Sequence, residues 1–218
     1  ASKNHPTTGD NAIAFRKKSH ASRKIHYIGV WDTVGALGIP FSMMGLFDSN
    51  DEFYDTKMGS NVTIARHALA IDERRVDFEP TVWTPRRGVN LKQVWFSGVH
   101  SDIGGSYKPD KQGKLSSDIA LEWMLQEAGG AGLGIEPYLQ QLVSPHANAK
   151  LHKSRARVFR LRPAEYRNLM PVEEKTGEVI PTEMHHSVKQ RYELDPTYRP
   201  KNLEDYLEHH GGWQDKLA

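Results

Sequence analysis

The sequence predicts an α/β fold whose sheet is mostly parallel, with helices on its faces. Three observations predict it. The run Val94-Trp-Phe-Ser-Gly-Val99 is apolar, filled with β-branched and aromatic residues and closed by glycines, which reads as a buried strand. A second run, Ile25-His-Tyr-Ile-Gly-Val-Trp31, has the same character. Each run stops on a residue with chemistry in it, Asp32 after the earlier run and His100 after the later one. Open α/β sheets place ligands and reactive groups at the carboxyl ends of their strands. The third observation is a helical stripe at 117–128, where Ile119, Ala120, Trp123, Met124 and Ala128 share one face and can cover such a sheet.

The remaining elements follow in order. Residues 1–24 are polar, contain Pro6 and Gly9 and show no sustained period, so they read as a linker-like loop entering the first strand. After Asp32 come Thr33 to Pro40 and then Phe41-Ser-Met-Met-Gly-Leu-Phe47, the most apolar and Met-rich stretch. Asn61 can cap a helix over about 62–75, with Val62, Ala65, Ala68 and Leu69 on one face. Phe78-Glu-Pro-Thr-Val-Trp83 leads into a turn at Pro85 to Gly88. Ser116 or Ser117 starts the 117–128 helix and Gly129-Gly130 end it. A further helix is expected at about 136–143, and the alternation of Arg155 to Arg162 reads as a strand with one basic face.

Composition narrows the function classes. The 218 residues suffice for one large domain or a domain with an appendage. With 29 Lys and Arg against 27 Asp and Glu, the net charge of +2 favours no class of partner. The strand face at Arg155, Arg157 and Arg160 is the only nucleic-acid footprint, weakly supported by a net charge of +2, and both it and the basic cluster Arg16–Lys24 read as solvated charge. At most, the cluster suits peripheral contact with an anionic membrane surface. There are no cysteines, hence no disulfides and no thiolate metal ligands. The 11 histidines include adjacent pairs, which diverge on helix and strand alike, and no His-Glu-x-x-His occurs. No metal and no cofactor is expected. No apolar run approaches the roughly 20 residues of a spanning helix, so the chain reads as soluble.

Asp32 and His100 are the candidate catalytic residues. A carboxylate that fixes an imidazole's tautomer, and an imidazole that removes a proton, together activate a hydroxyl nucleophile. Gly104 and Gly105, which lack Cβ, suit close approach of substrate or of another loop. Alternatives stay open. Asp32 can cap the Thr33–Gly35 turn, and His100 can be a hydrogen-bonded structural histidine. Asp102 is a rival acid, although its short tether suits bonding to amides of the Ile103–Gly105 loop. Ser97 and Ser101 are nearby hydroxyls, but neither sits on an elbow. His67, Arg74 and Arg75 read as a packed or paired face. Leu37–Phe47 suits an acyl-chain pocket or lid, or equally ordinary core.

Several segments together resemble one family. They are Gly29-Val-Trp-Asp-Thr-Val-Gly-Ala-Leu-Gly38, His67 to Arg75, Phe78-Glu-Pro-Thr-Val-Trp83, Val94 to Gly105 and Asp118-Ile-Ala-Leu-Glu-Trp123, with His185-x-Ser-Val and Tyr198-Arg-Pro-x-Asn-Leu behind them. The family is that of the α/β-hydrolase-like domain of type VI secretion phospholipase effectors and related bacterial and fungal hydrolases. The resemblance implies a partial α/β-hydrolase-like fold, with 25–143 as its acid and base half and 144–218 as an extension completing it. It implies a serine esterase or phospholipase with Asp32 as triad acid and His100 as triad base, acting on a lipid ester. It also implies a nucleophile elbow before the Trp-Asp-Thr strand, whereas no Gly-x-Ser-x-Gly occurs in this sequence. The expectation is therefore a chain that supplies acid and base, takes its serine from upstream or from another chain, and is inactive alone. The alternative is an inactive fragment or protein-interaction module. Cellular location is left open, between a bacterial cytoplasmic protein and a secreted effector.

Overall fold

The computed structural model describes residues 10–19, 24–34, 59, 61–154, 163–214 and 217–218. Four parallel strands, β1 (Ile25–Trp31), β2 (Val62–Ala70), β3 (Asn90–Phe96) and β4 (Glu183–Met184), pair in that spatial order. The ladders set Trp31 beside Ala68 and Ala70 beside Phe96, so the carboxyl ends of β1, β2 and β3 finish together. The described helices are α1 (Asp10–Lys18), α2 (His100–Gly104), α3 (Ser117–Gly130), α4 (Pro137–Gln140), α5 (His186–Leu194) and α6 (Lys201–His210).

Period-2 geometry divides the strands between two cores. Ala68, Ala70, Val94 and Phe96 face α3 and pack with Ile119, Ala120, Trp123 and Met124. Leu69, Ile71 and Trp95 face the other way, onto Val188 of α5 and Leu203 and Tyr206 of α6. The stripe predicted for the 117–128 helix is the buried face of α3, whose first residue is Ser117. α3 lies so close to β1 that a Cβ at Gly29 would stand 2.5 Å from Met124 Sδ. Helix and sheet meet there because glycine leaves room.

Four sequence expectations are corrected. The 62–75 stretch is no helix: 62–70 is strand β2, at the centre of the described sheet. It is buried on both faces from Ala65 to Ala70, so the polar–apolar alternation that marks a half-buried strand is missing. Its alanines mimic helix propensity, yet they are small because β1, β3 and α3 crowd them. Asn61 caps nothing there; its carbonyl accepts the Ile25 amide at 2.7 Å and starts the β1–β2 ladder. The loop expected over 1–24 holds a helix, α1, whose described side chains are exposed, including Phe15 at 71%. The helix expected at 136–143 shrinks to Pro137–Gln140. Helices α5 and α6 had not been read at all. The proposed strand 155–162 and the stretch Leu37–Phe47 lie outside the described residues.

Candidate active site

The site assembles where β1, β2 and β3 end. Asp32 follows β1 in the left-handed region, at φ 46°, uncommon for a residue with a side chain. Its amide donates to Ala68 carbonyl at 2.7 Å. The next amide, of Thr33, donates to His67 Nε2 at 3.1 Å. Burial pushes the His67 imidazole down to about 4, so this ring is a neutral acceptor that braces the Asp32 turn. The twist buries the Asp32 carboxylate completely and aims it across the strand ends.

Four donors meet that carboxylate. Oδ1 accepts from the Ala70 amide at 2.8 Å and from Arg167 Nη1 at 2.5 Å. Oδ2 accepts from Arg167 Nη2 at 3.0 Å and lies 2.7 Å from His100 Nδ1. Burial alone would raise the carboxyl's pKa, but the Arg167 guanidinium, His100 and the Ala70 amide outweigh it and hold Asp32 well below the usual carboxylate range. Asp32 is ionised at neutral pH.

His100 opens α2, just past the turn at Ser97–Gly98. Gly98 has φ 126°, and a Cβ there would stand 2.6 Å from Asp102 Cβ, so this turn requires glycine. The His100 amide donates to Glu73 Oε2 at 3.3 Å. The ring meets Phe78 edge to face at 5.2 Å between centroids. Arg167 Nη2 holds the Phe78 carbonyl at 2.5 Å, and the Arg75 guanidinium lies over the Phe78 ring at 3.4 Å. Glu73 in turn is forked by Arg75 at 2.9 and 2.8 Å. Burial would raise the Glu73 carboxyl, but these bonds to Arg75 lower it. The result is an imidazole fixed by Nδ1 and by its ring face. Its side chain is 29% exposed, and among the described residues nothing bonds Nε2.

A cleft of about 240 Å³ adjoins this bracing shell, lined by Glu73, Phe78, Pro80, Val82, Tyr166 and Arg167 among others. Asp102 does something other than its sequence reading. It bonds not the Ile103–Gly105 loop but the amides of Val99 at 3.1 Å and His152 at 3.0 Å, with Ser116 Oγ at 3.1 Å and His152 Nδ1 at 2.7 Å. Ser97 is buried, and among the described residues its Oγ has no hydrogen-bond partner. Arg74 and Arg75 are paired, as expected, with Tyr166 and with Glu73. Among the described residues no group of three His, Asp or Glu could hold a metal ion, and no helix is long and apolar enough to cross a membrane.

Sequence reasoning missed Arg167, Glu73 and His152. Glu73 carried a faint signal, since an acid directly past an apolar run is costly to bury unless paired. Arg167, 135 residues from Asp32, carried none.

The family model described as type VI secretion system (T6SS), phospholipase effector Tle1-like, catalytic domain, matches residues 2–127, more than half of the chain. No curated protein matches. A solved crystal structure of an uncharacterized protein from Pseudomonas aeruginosa aligns at 24% identity with a TM-score of 0.38. The alignment covers 56% of this chain and 21% of that one, so this chain spans about a fifth of that protein's length.

Proposed function

The chain belongs to the Tle1-like family of type VI secretion phospholipase effectors, and from that premise we propose that it serves hydrolysis of a phospholipid ester, with His100 as general base and Asp32 as its orienting carboxylate. One observation carries the reading: His100 Nδ1 lies 2.7 Å from a buried, ionised carboxylate while Nε2 is left unbonded among the described residues.

The chemistry follows from that arrangement. A serine hydroxyl attacks the ester carbonyl as His100 Nε2 takes its proton. Asp32 holds Nδ1–H and stabilises the imidazolium without taking the proton itself. Collapse of the tetrahedral intermediate passes the proton to the departing alcohol. Water then repeats the cycle on the acyl-serine, and the acid is released. An α/β-hydrolase-like frame suits these steps, since acid and base follow β1 and β3, on either side of the β2 end, in the chain order acid before base.

In this reading the serine lies upstream of these 218 residues or on a second chain. Ser97 is buried, which disfavours it, and neither Ser97 nor Ser101 sits on a nucleophile elbow. The apolar Leu37–Phe47 stretch would take the acyl chain.

The test is a fluorophosphonate probe on the 218-residue chain, read by intact mass, with His100→Ala as control. The expected result is no adduct, and ester hydrolysis when a segment bearing an elbow serine is supplied, abolished by His100→Ala. A His100-dependent adduct on a serine of this chain overturns the placement of the nucleophile. No adduct and no rescue overturns the enzymatic reading and leaves a binding module.

A further inference from the structure

We propose that the cleft between α2 and the first turn of α3 binds a phosphate group. Its lining includes Ser101, Tyr107, Lys108, Lys114, Lys150 and His152. At about 70 Å³ it is too small for an acyl chain, but it is several times the space of roughly 15 Å³ that one water needs. A small tetrahedral anion suits that volume.

Charge and donor count point the same way. Three lysines face one carboxylate at the cleft, Asp110, whose Oδ1 is already occupied by the amides of Gln112 at 2.8 Å and Lys114 at 3.0 Å. Among the described residues Lys108 and Lys150 form no ion pair, and Lys114 Nζ reaches only Asn148 Oδ1, at 3.4 Å. Lysine ammonium and the serine and tyrosine hydroxyls are donors, and an ionised phosphate presents only acceptors. The amino end of the 14-residue α3 adds its partial positive charge on one wall.

The walls are fixed before any ligand arrives. Buried Asp102 ties three segments together through Val99, Ser116 and His152. It also holds His152 Nδ1 at 2.7 Å, which leaves Nε2 as the nitrogen a ligand can meet. The His152 ring is stacked on Tyr107, 3.6 Å between centroids and 14° apart, so neither ring is free to swing into the space. Surface lysines by themselves scatter; here they border a cavity with a rigid floor.

The phosphate has two possible sources, a lipid headgroup or a soluble phosphate ester. The proposal concerns binding and does not require His100 to be catalytic. To test it, the full chain is titrated with inorganic phosphate and with glycerol phosphate, following the His152 imidazole proton and the Ser101 amide by NMR. Saturable shifts at both are expected, with affinity at least tenfold weaker in Lys108→Gln/Lys150→Gln and retained in Lys108→Arg/Lys150→Arg. Unsaturable shifts, or shifts spread over every lysine and unchanged in the Gln variant, overturn the site. Binding should also persist in His100→Ala; its loss would overturn the site's independence from the Asp32–His100 pair. Cosedimentation with phosphatidylglycerol vesicles separates the sources. Phosphate-competed sedimentation identifies the headgroup, and phosphate binding without sedimentation identifies a soluble ester.

Discussion

Two Asp–His pairs stand side by side in this fold, and their central distance is identical. Asp32 and His100 meet at 2.7 Å, as do Asp102 and His152. Both carboxylates are fully buried, and both rings are about a quarter exposed. What differs is everything around them. Asp32 carries a guanidinium fork from Arg167 and receives one backbone amide, across the ends of neighbouring strands. Asp102 receives two amides and a serine hydroxyl, and ties its own turn to the segments that flank it. A short Nδ1–oxygen contact therefore does not by itself mark a catalytic pair. In the proposed mechanism, counter-charge and position on the sheet are what separate the His100 imidazole, as a base, from the His152 imidazole, as a strut.

The sharpest way to break the comparison is to remove one member of each pair in an enzyme supplied with its nucleophile. Asp32→Asn should reduce ester turnover by roughly 10⁴-fold, because the imidazole loses its tautomer and the stabilisation of its charged form. His152→Ala should cost about tenfold or less in the same kcat/KM assay. Comparable losses would erase the distinction between the pairs.

The next effect concerns Arg167. Arg167→Met strands a buried carboxylate and should lower unfolding free energy by about 3–5 kcal/mol in urea at pH 7. The double variant Asp32→Asn/Arg167→Met should recover part of that loss. Asp102→Asn should cost less, about 2 kcal/mol by the same measurement, since neutral donors rather than a guanidinium face it.

Asp72 separates burial from counter-charge. It accepts from the Gly98 amide at 2.6 Å and the Tyr198 hydroxyl at 3.0 Å, with no guanidinium bonded to it among the described residues. Burial pushes its carboxyl up to about 6. A raised carboxyl favours the folded state at low pH. Its contribution is full below the unfolded value near 4 and is lost as pH rises through about 6. Relative to Asp72→Asn, the wild-type chain should therefore lose about 1–2 kcal/mol between pH 4 and 7. A gain over that range would mean that Asp72 resembles Asp32 instead.

How much of this could be read from residues alone depended on locality. β1, β3 and α3 announced themselves through runs whose pattern matches their surroundings, and Asp32 and His100 through their place directly after those runs. β2 was misread because a strand packed on both faces has no alternation left to see, and its Ala-rich segment resembles a helix face. Arg167 and His152 were invisible for a different reason. Their role is a contact, made across 135 and 50 residues of chain, and no short pattern encodes the far partner. The Asp102 misreading shows the same limit, since the nearest loop amides were guessed where distant groups had the better geometry.

Every ladder in the described sheet is parallel. None of these neighbours can be joined by a tight hairpin, so each pairing must close a long loop before it is rewarded. Contacts of such high order make folding slow. Asp32, His100 and Arg167 converge from three remote stretches, so their cluster belongs to the late steps of assembly. Until then Val94, Trp95 and Phe96 stand uncovered beside unpaired strand edges, the condition in which chains stick to one another. Slow dilution and low concentration should therefore govern the yield of refolded protein more strongly than final stability does.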